Sequence, residues 1–136
     1  MAKHKNNYKK LLKEANLRPT KQRLMLINNI FKRGNRHLNA EELHKEIINI
    51  GEKVSLATVY NTLNHLTSVG LLRQVKLASN QSYFDTNTSV HHHFYDEVNS
   101  TLIDISHNDI KLKGIPKPPV NKKISDIEII ISIKNK

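Results

Sequence analysis

Residues 90–98 of this chain read VHHHFYDEV. Three consecutive imidazoles can ligate a divalent metal or a haem iron, or they can be a polar run on an exposed strand. The chain has no cysteine, which excludes a disulfide framework and any thiolate zinc site. A bound metal would have to draw on histidine and carboxylate. Side chains alternate along a strand, so His91 and His93 project to one side and His92 to the other. All three cannot serve one ion. His92 is therefore a solvated or hydrogen-bonded side chain, a ligand of a second site, or an axial ligand of haem.

Signatures of catalysis are missing. No HExxH, GxSxG or phosphate-cradling glycine loop occurs, and the chain holds only four glycines. A nucleophilic histidine triad needs alternating histidines, and H-H-H-F lacks the third. The chain reads as a non-enzyme.

Charge is the second informative feature. Residues 1–85 carry 15 Lys/Arg against 6 Asp/Glu, a net of +9, whereas residues 86–136 carry 7 against 6, a net of +1. A basic front half on a near-neutral back half implies a polyanion partner for the first and another task for the second. The apolar run Ile129 to Ile131 is far too short to span a bilayer. The basic start MAKHKNNYKK has no apolar core of a secretory signal, so a cytoplasmic protein without membrane contact is expected.

The elements that position these residues are legible in outline. Lys5 to Asn16 predicts a short basic helix. Thr20 caps a second helix with Leu24, Ile27, Ile30 and Phe31 on one stripe, ended by Gly34. Asn39 with Glu42 resembles a capping box opening a third, with Leu43, Ile47 and Ile50 on its apolar side. Ser55 caps a fourth, with Leu56, Val59, Leu63, Leu66 and Val69 inward and Thr58, Asn61, Thr62 and His65 outward, Tyr60 lying near the edge. LLRQVKL, a turn at Ala78 to Gln81, and SYFDT form a hairpin. Helices, a polar-faced helix and a hairpin make a winged helix-turn-helix whose fourth helix suits a major groove. His65 is either a DNA contact or a plain solvent residue, and His4, His44 and His107 are expected at the surface.

Beyond residue 86 the chain predicts two paired strands joined near Asn99-Ser100. An irregular stretch with Pro116, Pro118 and Pro119 follows, then an alternating strand, DIEIIISIK, with Ile127, Ile129, Ile131 and Ile133 on one face. Fifty residues of this kind bury little surface alone, so assembly through the sheet is expected, and a homodimer suits a palindromic duplex. The fold class is α+β. Residues 1–86 form a winged-helix DNA-binding domain and residues 87–136 a small α/β dimerisation and sensing domain.

Six stretches carry a family resemblance. LRPTKQR (Leu17 to Arg23), HLNAEEL (His37 to Leu43), SLATVYNTL (Ser55 to Leu63), GLLR (Gly70 to Arg73), YFDT (Tyr83 to Thr86) and HHHF (His91 to Phe94) resemble the ferric uptake regulator family. Their wording is most similar to its alphaproteobacterial iron-response-regulator branch. The resemblance implies a dimeric repressor-type regulator whose DNA affinity follows iron, another divalent metal or haem. It places Tyr60 and its neighbours Ser55, Thr58 and Asn61 on the reading helix, and Arg18, with Lys21 and Arg23, against an AT-rich duplex. It places His37, Asp85, His91, His93 and Asp104 at a regulatory site for Fe(II), Mn(II) or Zn(II), donor types that suit those ions. In this reading His37 comes from the loop before the third helix.

Departures from the family pattern also matter. Asp96 and Asn99 stand where many members begin a zinc-binding Cys-x-x-Cys pair, so that structural zinc is excluded. Asn61 replaces an arginine that often follows the reading tyrosine, removing a possible bidentate guanine contact. Without a Cys-Pro pair, haem or a haem-delivering partner would have to use His91, His92 and His93. The alternatives are a metal-sensing repressor without haem sensing and a ligand-insensitive winged-helix nucleic-acid-binding protein.

Overall fold

The computed structural model describes residues 7–136; His4 and the expected helix start at Lys5 lie outside them. The chain divides into two compact units, one ending at Thr88 and one beginning at Ser89.

The first unit opens with helix α1 (Tyr8–Glu14), α2 (Lys21–Phe31), strand β1 (His37–Leu38), α3 (Ala40–Asn49) and α4 (Leu56–Ser68). Three of the four helices start on the side chains expected to cap them. The oxygens of Thr20, Asn39 and Ser55 accept the backbone N–H of Arg23, Glu42 and Thr58 at 3.3, 2.8 and 3.1 Å. Helices α3 and α4 end in left-handed glycines, Gly51 and Gly70 (φ +84° and +83°). In each case the next residue's N–H reaches back five residues, Glu52 to the Ile47 carbonyl and Leu71 to that of Leu66. A Cβ at that φ would be strained, which is why glycine stops both helices.

Leu12, Leu26, Ile27, Ile30, Leu43, Ile47, Val59, Leu63 and Leu66 interlock as a solvent-free core. Burial of each such side chain contributes roughly 1.5–3 kcal/mol. Three residues expected on apolar stripes are instead exposed: Ile50 (55%), Leu56 (37%) and Val69 (40%). Leu56 is the first residue of α4, while Ile50 and Val69 are C-caps, so each lies where the stripe has already rotated off the core. Thr62, expected outward, is buried and its hydroxyl donates to the Thr58 carbonyl at 2.8 Å. The hairpin of β2 (Arg73–Lys76) and β3 (Ser82–Asp85) follows as expected, and β1 joins it to give the antiparallel order β1-β3-β2.

The second unit is a three-stranded sheet. Strands β4 (His91–Asp96) and β5 (Thr101–Ser106) form an antiparallel pair, and β6 (Ile130–Ile133) lies parallel to β4 on its other side. A single 3₁₀ turn, His107–Asp109, is its helical part, and residues 110–129 form neither helix nor strand. The last strand is shorter than its alternation implies. Only residues 130–133 pair with β4, and Ile131 is 40% exposed while Ile130 and Ile133 are half-buried. Just before the ladder the Ile129 N–H turns to a side chain, Nδ1 of His92, so regular pairing begins one residue later. Among the described residues no helix is long and apolar enough to cross a membrane.

Candidate metal centre and nucleic-acid interface

In the first unit, β1 sets His37 directly opposite Asp85 of β3. Their side chains meet with His37 Nε2 3.1 Å from Asp85 Oδ2, the carboxylate buried and the imidazole half-buried. The other oxygen, Asp85 Oδ1, accepts the Asn87 N–H at 2.8 Å, which holds the carboxylate in place. His37 thus lies on a strand and not in a loop. Arg36 anchors that strand twice: its N–H donates to Thr86 Oγ1 (2.8 Å) and its carbonyl accepts from the Thr86 N–H (3.1 Å). Its guanidinium grips Glu46 of α3 through both oxygens, at 3.1 and 2.6 Å.

In the second unit, His93 sits opposite Asp104 in the β4–β5 register. His91 and His93 share a face, their ring centroids 4.5 Å apart. The Nε2 atoms of both lie 3.3 Å from one oxygen, Asp104 Oδ1. The ligand atoms of His91, His93 and Asp104 all fall within 4.8 Å of one another. His91 and His93 are buried, whereas Asp104 is about half exposed.

Backbone partners decide which ring nitrogen can act as a ligand. His91 Nδ1 lies 2.7 Å from the Ser89 carbonyl. A carbonyl only accepts, so Nδ1 carries a proton, and in the neutral imidazole the lone pair is then on Nε2, toward Asp104. His92 is set the opposite way. Its Nδ1 accepts the Ile129 N–H at 3.0 Å, so its proton is on Nε2 and it presents a donor there. His93 carries a carboxylate on each side, because Nδ1 lies 3.3 Å from Oε1 of Glu128. In the sequence, alternation puts Glu128 on the face opposite Ile127 and Ile129. No local signal marks its contact, which depends on β6 pairing with a strand 37 residues earlier.

On α4, Tyr60, Asn61 and His65 are exposed, while Thr58 is half-buried with its hydroxyl 2.9 Å from that of Ser55. Exposed Asn64 shares this outward surface although the pattern reading passed over it. The Tyr60 hydroxyl donates to Glu41 Oε1 of α3 at 2.5 Å, a partner that reading also passed over. This bond, followed by burial and the nearby negative charge, raises the phenol above its ordinary pKa. Arg18 and Lys21 are exposed, but Arg23 is half-buried and its Nη1 donates to the Arg18 carbonyl at 2.9 Å. Arg23 therefore braces the Arg18 backbone.

Comparison with known proteins agrees on one lineage. The family model described as the ferric uptake regulator family matches residues 14–131. The ferric uptake regulation protein of Shigella flexneri is 38% identical over 82 residues, 60% of this chain and 55% of that protein. The match thus spans about half the length of that curated relative. The solved ferric uptake regulator of Vibrio cholerae superposes with a TM-score of 0.73 at 24% identity, covering 96% of this chain and 99% of that one. The Pseudomonas aeruginosa regulator, solved with manganese, gives 0.71 at 20% identity over 95% and 98%. These likenesses establish the fold.

Proposed function

The chain belongs to the ferric uptake regulator family, and from that premise we propose that it is a cytoplasmic, homodimeric transcription regulator whose DNA affinity follows a divalent metal. His37, Asp85, His91, His93 and Asp104 supply the ligands for Fe(II), Mn(II) or Zn(II). A ligand that binds one conformational state of the chain more tightly than another would couple occupancy to DNA affinity. Exposed Tyr60 and Asn61 face the base edges of an AT-rich palindromic duplex. Arg18 and Lys21 supply phosphate or minor-groove contacts, and Ser55, Thr58 and Arg23 hold these elements in shape.

The observation that carries this reading is the state of His91. Its Nδ1 proton is committed to the Ser89 carbonyl, and its Nε2 lone pair faces the same space as His93 Nε2 and Asp104 Oδ1. Metal-ligating histidines commonly have this outer partner. A haem-sensing role, as in the iron-response-regulator branch, would use the 91–93 run. His92 stands against a simple version, because coordination through Nε2 would require it to give up the Ile129 bond. We place a divalent ion ahead of haem for that reason.

The test titrates Mn(II), Fe(II) and haem into wild type and a His91→Ala/His93→Ala variant, following ligand binding and affinity for a palindromic AT-rich duplex together. Metal-dependent DNA binding that the double variant loses is the expected result. DNA affinity indifferent to every ligand in wild type would refute the sensor reading and favour a ligand-insensitive winged-helix protein.

A further inference from the structure

His93 is fully buried between two carboxylates on opposite sides of its ring, Asp104 toward Nε2 and Glu128 toward Nδ1, each at 3.3 Å. Asp104 belongs to β5 and Glu128 to the segment leading into β6, so the imidazole is held from both edges of its strand. Two further bonds bring Glu128 there. The His93 N–H donates to the Ile129 carbonyl at 3.1 Å, and the Ile129 N–H donates to His92 Nδ1 at 3.0 Å. His93 Nδ1 and Glu128 Oε1 face each other at 3.3 Å, both secluded from solvent.

We propose that Glu128 is a positioning residue for the metal ligand His93, holding the proton on Nδ1 so that the Nε2 lone pair is offered to the ion. The inference rests on the metal-binding reading above. A carboxylate buried against the nitrogen away from the ligand cluster fixes the imidazole's tautomer and orientation and raises its basicity. A cation held on Nε2 would polarise the Nδ1–H and strengthen its attraction to the Glu128 carboxylate. The same pull tightens the start of β6, so metal occupancy and docking of the last strand reinforce each other. His91 needs no such residue, because the Ser89 carbonyl already does this work.

The experiment measures Mn(II) and Zn(II) affinity by chelator competition on the full chain, together with ¹⁵N-detected tautomers of the histidines with and without Zn(II). Wild type is compared with Glu128→Gln, Glu128→Asp, Glu97→Gln and Ile133→Ala. The expected outcome is a loss of about 10–100-fold in affinity for Glu128→Gln, with partial recovery in Glu128→Asp and no change in Glu97→Gln, a surface acid. In zinc-free Glu128→Gln, His93 shifts toward its Nε2–H form while His91 stays as in wild type. Ile133→Ala loosens the same strand far from His93. If it weakens metal binding as much as Glu128→Gln, the role is merely architectural and the proposal is overturned. Wild-type binding that Glu128→Gln leaves unchanged overturns the proposal alone. Failure of wild type to bind either ion overturns the metal reading and this inference with it.

Discussion

Truncating Glu46 to alanine should destabilise the first unit by about 2 kcal/mol, and the estimate follows from the geometry of one ion pair. Both guanidinium nitrogens of Arg36 reach the Glu46 carboxylate, at 3.1 and 2.6 Å, with side-chain exposures of 14% and 23%. A hydrogen bond to a charged group contributes roughly 1.5–3 kcal/mol. Breaking a wholly buried pair from one side costs roughly 3–5 kcal/mol, and a fully exposed pair is worth roughly 0.2–1 kcal/mol. The pair lies between these limits, and Arg33, 3.6 Å from the same carboxylate, adds a weaker and more exposed attraction. A double-mutant cycle with Arg36→Met should return a coupling of about 1.5 kcal/mol. Urea unfolding followed by helical circular dichroism is a direct assay, because α1 to α4 lie in this unit. The variants should also speed hydrogen exchange at the Thr86 amide, which bonds to the Arg36 carbonyl beside the His37–Asp85 pair. A coupling below about 0.5 kcal/mol would show that the pair behaves as an ordinary surface contact, and would refute its role as the anchor of β1.

Three further outcomes are expected. Ser55→Ala removes the acceptor for the Thr58 N–H at the start of α4 and should cost about 1 kcal/mol, with Ser55→Asp retaining most of it; chemical denaturation checks both. Glu41→Ala should lower the pKa of Tyr60, because the bond to Glu41 is the largest cause of its elevation. That bond favours the protonated phenol, so its stabilisation is present below the ordinary tyrosine pKa and fades as pH rises through the elevated one. Absorbance titration at alkaline pH, compared with Tyr60→Phe, reads the shift, and an unchanged titration would deny the contact. His92→Phe should leave the Ile129 N–H without its acceptor and cost roughly 1–3 kcal/mol, with faster exchange at that amide; His92→Asn, which keeps an acceptor, should be milder.

What was legible in the sequence is what short-range chemistry determines. Thr20, Asn39 and Ser55 cap their helices because each side-chain oxygen needs only a backbone N–H three residues ahead. Gly51 and Gly70 end theirs for an equally local reason. The hairpin around Ala78–Gln81 and the β4–β5 pair are also short-range. Several of the misplaced features depend on partners distant in sequence, others on side chains turning back onto their own helix. His37 lies on a strand only because β1 adds to β3, whose residues come almost fifty positions later. Thr62 looks like a polar outward residue until its hydroxyl is seen satisfying the Thr58 carbonyl one turn back. Glu128 and Glu41 carry no pattern that distinguishes them from solvated acids, yet one meets a buried histidine and the other the candidate reading tyrosine.

The histidine run shows why residue type and alternation cannot assign a ligand by themselves. Strand geometry separates His92 from His91 and His93, but it does not say which nitrogen of any ring carries a proton. That choice follows from what the backbone places beside Nδ1. A carbonyl at Ser89 demands a proton there and frees Nε2 of His91; an amide at Ile129 forbids one and makes Nε2 of His92 a donor. The same three-letter run therefore contains one imidazole prepared to accept a cation and one prepared to refuse it. Glu128 is placed to resolve the third, and moving its carboxylate should change the metal affinity of His93 without altering any ligand.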